Sequence, residues 1–384
     1  MDLTAAFSLT GDDPFTSALL QAVLFILVIR FLDLWEREPL WLIVLMAVWG
    51  ATGAIAIAGP VNTAWLNSMS PELQATFGPA IVAPLVEELA KGAALVAVLF
   101  ASRWAVQRHR AVEFDGPVDG LVYGAAVGLG FAFNENNFYF LNSTAEENVI
   151  AGFAVLELRE GFFNLGTLGH AIYTGIFGAG LGLATWSQTR AGRVGWPLLG
   201  LGVAMLLHAF NNGFAKLVAV LEYGYDEVTT AMLEGGSPEF IAQVQDTFDT
   251  ARTIVEVVNY AMVAVFACLI VLGARYQQRV LRYELAEEAN AGLISREEWE
   301  TVPSYTRRLK WYRQLFVHGV RTRDFEPWRA VRRTHHELGE LAFLKWRLRR
   351  VGGPATEVER RRQQIAALRQ QQGGALPTAQ VAKT

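Results

Sequence analysis

The sequence predicts an all-α membrane protein, a polytopic helix bundle of about seven transmembrane helices followed by a helical cytoplasmic tail. Three observations carry this. The 384 residues are 52% hydrophobic and 18% charged with 35 glycines, too apolar and glycine-rich for an ordinary soluble domain. Apolar stretches near the roughly 20 residues needed to cross a hydrocarbon core recur until residue 274. The charge is also split: residues 1–274 hold 11 Lys and Arg against 25 Asp and Glu, residues 275–384 hold 22 against 12. Two bodies are therefore expected, a membrane bundle over 1–274 and a basic cytoplasmic helical tail over 275–384.

Taken in order, the expected spans are Pro14 to Leu32, Pro39 to Ala58, Gly78 to Ala101, Pro117 to Leu141, Gly166 to Trp186, Trp196 to Leu221 and Ile254 to Ala274. No Lys or Arg precedes the first, so it reads as a retained anchor and not a cleaved signal. Basic residues fall in alternate connectors: Arg37, then Arg103, Arg108 and Arg110, then Arg190 and Arg193, then the tail. Segments 1–13, 59–77 and 222–251 have none, and 142–165 has only Arg159. The positive-inside rule then places the N-terminus outside and the C-terminus in the cytoplasm. In the fourth span Gly116, Gly120, Gly124 and Gly128 recur every four residues, a smooth stripe for close approach of a neighbouring backbone. Gly175, Gly178 and Gly182 form a similar set in the fifth.

The tail is charged at helical spacing. Its segment FLKWRLRR, Phe343 to Arg350, reads either as a face lying on the anionic inner leaflet or as a solvated helix. After Gly352 one helix and then a disordered end are expected. Nothing there resembles a nucleic-acid module. Cys268, the single cysteine, has no disulfide partner and reads as a small core residue. His109, His318, His335 and His336 lie in basic stretches and are expected to be exposed, whereas Glu256 and Asn259 read as interfacial or packing residues.

Four spans contain groups that do not belong in lipid. The third carries Glu87, Glu88 and Lys91 in PLVEELAKG, and the fourth Glu135 in FAFNENN. The fifth has His170, and the sixth His208 with Asn211 and Asn212. Each charged side chain at a helix centre costs roughly 2.5–3.5 kcal/mol on an insertion scale, so such groups face one another or a water-filled cavity. The four helices are expected to surround one site in the outer half of the membrane. By helical rise His208 lies deeper than the others, roughly 20 Å from the outer end of its span against roughly 14 Å for Glu87. A shared level requires that helix to tilt or shift outward.

Such groups can activate a water, a carboxylate taking its proton while a histidine or amide meets the oxyanion. Alternatively Glu135, His170 and His208 could bind zinc, with Glu87 or Glu88 as base. HExxH and GxSxG are both absent, as is a histidine near Cys268.

The EELAK and FAFNE stretches with His170 and His208 resemble the four motifs of the PrsW family of intramembrane proteases, over roughly residues 78–212. That family is related to the type II CAAX prenyl proteases and is described both as metalloproteases and as glutamic proteases. The resemblance implies an intramembrane endopeptidase acting on a membrane-anchored protein substrate, an anti-sigma factor in family members. It implies Glu87 or Glu88 as base with Glu135, His208 with Asn212 at the oxyanion, and His170 orienting water or substrate. CAAX proteases carry His where Glu135 stands, which argues against a prenylated substrate. Two other classes remain beside the peptidase: a proton-coupled transporter or channel using the same groups as a relay, and a non-catalytic membrane scaffold. The repeated halves typical of transporters are not seen.

Overall fold

A computed structural model describes residues 19–20, 22–28, 38–107, 114–142, 165–233, 235–352 and 355–371. Most of the first expected span, the segments 1–13 and 143–164, Arg37, Arg108, His109 and Arg110 lie outside these residues. Every regular element among the described residues is helical. Contacts group the chain into two compact units, one containing residues 38–269 and one containing 270–384.

In the first unit α1 (Leu40–Trp49) runs through a π-helical turn, Gly50–Ala54, into α2 (Ile55–Leu66). The short α3 (Pro71–Phe77) is capped by the Ser70 hydroxyl and leads through a second π turn, Gly78–Val82, into α4 (Ala83–Gln107). Next come α5 (Pro117–Asn142), α6 (Leu165–Trp186), α7 (Arg190–Tyr223), α8 (Tyr225–Leu233) and α9 (Pro238–Asn290). The segments Leu40–Leu66, Arg190–Tyr223 and Pro238–Asn290 are each long and apolar enough to cross a membrane. Helices α4, α5 and α6 lie over three more of the expected spans, and helical backbone at 22–28 lies within the first.

The second expected span is longer than its composition suggested. The expected span ends at Ala58, yet Pro60 sits inside α2 and the helix continues to Leu66. Likewise α7 has 34 residues, about 51 Å at 1.5 Å per residue, and outruns the hydrocarbon core. Its start is fixed by Thr189, whose hydroxyl accepts from the Gly192 amide at 3.1 Å. Its Leu198, Leu199, Leu206, Leu217 and Leu221 are exposed, as side chains facing lipid would be.

The glycine stripes do what their spacing predicts. A Cβ on Gly120 would stand 1.9 Å from the Gly178 carbonyl oxygen, one on Gly124 2.3 Å from that of Thr174, and one on Gly128 2.1 Å from that of His170. Helices α5 and α6 therefore meet backbone to backbone. The other side of α5 takes α1 just as closely, with a Cβ on Gly130 falling 1.8 Å from the Ala47 carbonyl oxygen. At the π turn, Asn134 donates to the Ala51 carbonyl at 2.9 Å. Tyr123 of α5 is hydrogen-bonded to the buried Glu38.

Cys268 is exposed, contrary to the core reading, because in a membrane the surroundings of a span are apolar too. Asn259 packs as expected, buried and donating to Asn211 Oδ1 at 2.8 Å. Glu256 pairs with Arg252 one turn before it, at 3.1 Å.

The second unit is built from the end of α9 with α10 (Arg296–Thr301), α11 (Tyr305–Thr322), α12 (Glu326–Val351) and α13 (Thr356–Gln371). Ser295 and Glu298 close a capping box at the start of α10. Leu281, Leu285, Leu338, Leu341 and Ile365 form the centre of its core. Lys345 is buried there, donating at 2.7 Å each to Glu287, Glu288 and the Glu284 carbonyl. Phe343 and Leu344 are buried beside it, so the first half of Phe343 to Arg350 is core, while Arg349 and Arg350 at its end are exposed.

His335 is also buried, against expectation. It lies edge-on to Trp311, and its Nδ1 is 3.1 Å from the Tyr312 hydroxyl. Tertiary packing decides this, since a histidine among charges reads as a surface residue. His336, the next residue, is exposed, and His318 is half-buried.

Two predictions follow from packing. Gly128→Ala should destabilise the protein by about 1–3 kcal/mol in thermal unfolding, because α5 and α6 must separate. Gly202→Ala, with nothing within 4 Å of its Cβ, should be neutral or slightly stabilising. For His335, burial and the nearby Arg308 and Arg369 push the imidazole down to about 3, whereas unfolded it titrates near 6.5. Between these values the unfolded state binds more protons, so stability falls as pH falls, by up to about 1.4 kcal/mol per pH step. Acid unfolding followed by tryptophan fluorescence should show this, and His335→Gln should flatten the dependence below pH 6.5.

Candidate functional site

Four helices of the first unit bring their polar groups together around the Lys91 ammonium. Helix α4 carries Glu87, Glu88 and Lys91 on adjacent turns, all three buried, with Glu88 and Lys91 at 0% exposure. Lys91 Nζ donates to Glu88 Oε1 at 2.6 Å and to His170 Nδ1 at 3.1 Å, and it lies 4.2 Å from the centre of the Phe131 ring. An ammonium has three protons and no lone pair, so a carboxylate, an imidazole nitrogen and an aromatic face replace the water it lost.

This fixes the state of His170. Its Nδ1 accepts from Lys91, so the ring proton sits on Nε2 and is donated to Glu135 Oε2 at 2.5 Å. Glu135, half-buried on α5, thus orients a ring carried by α6, and the Gly128 contact brings the two backbones together at that level.

His208 of α7 is anchored from the other side. Its Nδ1 faces Glu88 Oε1 at 2.9 Å and donates to it, which leaves Nε2 with a lone pair. That atom is buried and has no hydrogen-bond partner among the described residues. It stands 3.8 Å from Glu87 Oε2, too far for a hydrogen bond and enough for a bridging atom. The ring stacks on Tyr173 with centroids 5.2 Å apart and meets His170 edge-on at 5.0 Å. Despite its expected depth, His208 meets both α4 carboxylates from within the 34-residue α7.

The two neighbouring glutamates differ in surroundings. Glu88 has its Oε1 shared by Lys91 and His208, and its Oε2 accepts from the Thr174 hydroxyl at 3.1 Å. Glu87 is held more loosely, its Oε1 3.5 Å from Asn62 Nδ2 and its Oε2 3.9 Å from Lys91 Nζ.

Of the sequence-derived candidates, Glu87, Glu88, Glu135, His170 and His208 converge, and Asn212 does not join them. Asn212 is exposed one turn past His208, its Oδ1 accepting from the neighbouring Asn211 amide at 3.2 Å. Among the described residues, donor atoms within 4.8 Å of one another come from Glu87, His170 and His208, in place of the expected Glu135, His170 and His208. Glu135 binds the other nitrogen of His170, so it supports that ring from behind.

Two residues escaped the sequence reading. Asn62 lies in the part of α2 beyond the apolar run, where nothing local marked it as helical. Thr174 stands four residues after His170, a same-face spacing that could have flagged it.

Comparison with known proteins places this arrangement. The PrsW family intramembrane metalloprotease description matches residues 38–233, just over half of the chain. Protease PrsW of Bacillus subtilis is 37% identical over 96 residues, covering 25% of this chain and 38% of the relative. Protease PrsW of Halalkalibacterium halodurans is 33% identical over 109 residues, covering 28% of this chain and 45% of the relative. The chain thus spans less than half the length of either curated relative. No solved structure matches it.

Removing one partner of the buried pair should be costly. Lys91→Met strands Glu88 and should lower stability by roughly 3–5 kcal/mol in thermal unfolding. The double variant Glu88→Gln/Lys91→Met, which removes both charges, should recover much of that loss.

Proposed function

The chain belongs to the PrsW family of intramembrane metalloproteases, and from that premise we propose that it hydrolyses a peptide bond of a membrane-anchored protein substrate. The observation that carries this is the 3.8 Å gap between the lone pair of His208 Nε2 and Glu87 Oε2, inside a buried, hydrogen-bonded cluster of carboxylates and imidazoles. A water bonded to both atoms would sit beside this contact, about 2.8 Å from each, where Glu87 could take its proton.

In the metal-free form of this reading Glu87 is the base, because its Oε2 faces His208 Nε2 at 3.8 Å, and Glu88 is the anchor that orients Lys91 and His208. Glu87 takes a proton from water, the hydroxide adds to the carbonyl carbon, and the same proton is delivered to the departing amine. Asn62, whose amide lies 3.5 Å from Glu87, takes over the oxyanion role that the family resemblance implies for Asn212. Glu135 keeps the His170 ring in one tautomer.

The residues present fit a metal ion: two imidazoles and a carboxylate are a familiar zinc donor set, and His208 Nε2 is a buried nitrogen without a partner. Glu87, His208 and His170 would hold it, His170 through the Nδ1 that Lys91 occupies in this structure, so the ammonium would have to give up that contact; Glu88 and Glu135 would be the carboxylates that orient the two rings. Bound there, zinc would polarise the scissile carbonyl and acidify a water.

The membrane arrangement proposed with this function is the seven-span one, N-terminus outside and C-terminus cytoplasmic, supported by the alternation of basic connectors. Residues 1–274 would form the protease bundle and 275–384 the cytoplasmic tail. An extracytoplasmic segment of an anti-sigma-factor-like substrate then fits a site in the outer half, by family resemblance.

Cleavage of a reporter membrane peptide by reconstituted protein tests this. Glu87→Gln and His208→Ala should each lower the rate by about 10²–10⁴-fold, and Asn62→Ala should lower it while Asn212→Ala leaves it near wild type. Metal stripping with a chelator separates the two forms: loss of cleavage that added zinc restores assigns Glu87 as a ligand, and full activity in stripped protein assigns it as the base. Wild-type rates in both Glu87→Gln and His208→Ala would sink the protease reading, and proton flux in their place would favour a relay.

A further inference from the structure

Helix α11 exposes a face that its own unit does not cover. Arg308, Trp311, Leu315 and Gly319 form its buried side. On the opposite side Leu309 is 48% exposed, Phe316 46%, Val317 42% and Val320 58%. Interleaved with them are Lys310, Arg313 and Arg321, also exposed, so at 100° per residue one continuous face is both apolar and basic. From Tyr305 to Thr322 the helix has no Asp or Glu.

These charges are also unspent. Among the described residues, Lys310, Arg313 and Arg321 form no ion pair, whereas Arg329 and Arg333 of the next helix pair with Glu326 at 3.6 and 3.9 Å. Beside the face, Arg332 lies over the Trp328 ring at 4.6 Å, and Phe316 packs against Trp328 at 5.6 Å between centroids. Aromatic, aliphatic and basic groups on one helix face match the interface of an anionic bilayer.

We propose that this face of α11 docks on an anionic phospholipid leaflet. The occupant follows from charge complementarity and from tethering. A protein groove or a second copy would cover the apolar residues but would leave three unpaired cations unexplained. A leaflet rich in anionic headgroups meets both features at once. Tyr305 follows the end of α9 at Asn290 by only 15 residues, and α9 contains an apolar stretch long enough to cross the membrane, so a bilayer is always within reach. The inference does not depend on the proteolytic reading. It moves lipid contact from Phe343 to Arg350, whose first three residues are buried, to Leu309 to Arg321.

The test uses the full chain with Cys268→Ser and a nitroxide at Phe316→Cys or Val320→Cys, in nanodiscs of phosphatidylcholine alone or with one-third phosphatidylglycerol. A control label at Arg296→Cys, whose native side chain is 88% exposed, reports water. With phosphatidylglycerol, labels at 316 and 320 should become accessible to dissolved oxygen and shielded from a water-soluble nickel chelate. Lys310→Gln/Arg313→Gln/Arg321→Gln should reverse this, since each cation near such a surface is worth roughly fivefold and three roughly a hundredfold. Equal nickel accessibility in both lipids would overturn the proposal. So would shielding in both lipids without oxygen contact, which means protein cover, or spin–spin broadening that rises with protein density, which means a second copy.

Discussion

The buried ammonium of Lys91 is the interaction on which the site depends. It is fully buried, so each of its protons must find a partner within the bundle. Glu88, His170 and the Phe131 ring supply them, from α4, α6 and α5. Because the ammonium can only donate, it dictates which His170 nitrogen is bare and hence that the other donates to Glu135. Glu88 in turn dictates the tautomer of His208. One cation therefore orients two imidazoles on two further helices, and the one nitrogen left over is His208 Nε2, facing Glu87.

Such an arrangement needs backbones closer than ordinary side chains permit. Gly120, Gly124 and Gly128 let α5 touch the main chain of α6, and Gly50 and Gly130 do the same for α1. In lipid there is little hydrophobic drive for helices to associate, so close packing and internal hydrogen bonds must hold them together. The glycines and the polar cluster serve one end: the first bring the helices near, and the second makes their separation expensive.

The two units differ in what their exposed faces and centres hold. In the membrane unit a charged cluster shares the interior with buried leucines such as Leu95 and Leu129, and further leucines face outward, as on α7. In the second unit aliphatic side chains form the core, and Lys345 is admitted only with a full set of acceptors. Helix α11 follows neither pattern, with apolar and basic groups sharing an exposed face, and an interface between oil and water is the environment that suits it.

What the sequence alone determined was the class of the fold and most of the cast. Apolar run lengths marked the positions of the helices, the four-residue glycine period marked a backbone contact, and the insertion cost of a charge marked Glu87, Glu88, Glu135, His170 and His208. Each of these is a local property of composition and spacing. The tertiary structure decided which donor faces which acceptor: that Glu87 faces His208 while Glu135 holds His170, that Asn62 touches Glu87 while Asn212 is exposed, and that His335 is buried. Such outcomes turn on shifts of a few ångströms between helices distant in sequence, and on a helix continuing through Pro60. No periodicity within a single segment encodes them, because they arise only when separate helices share one space.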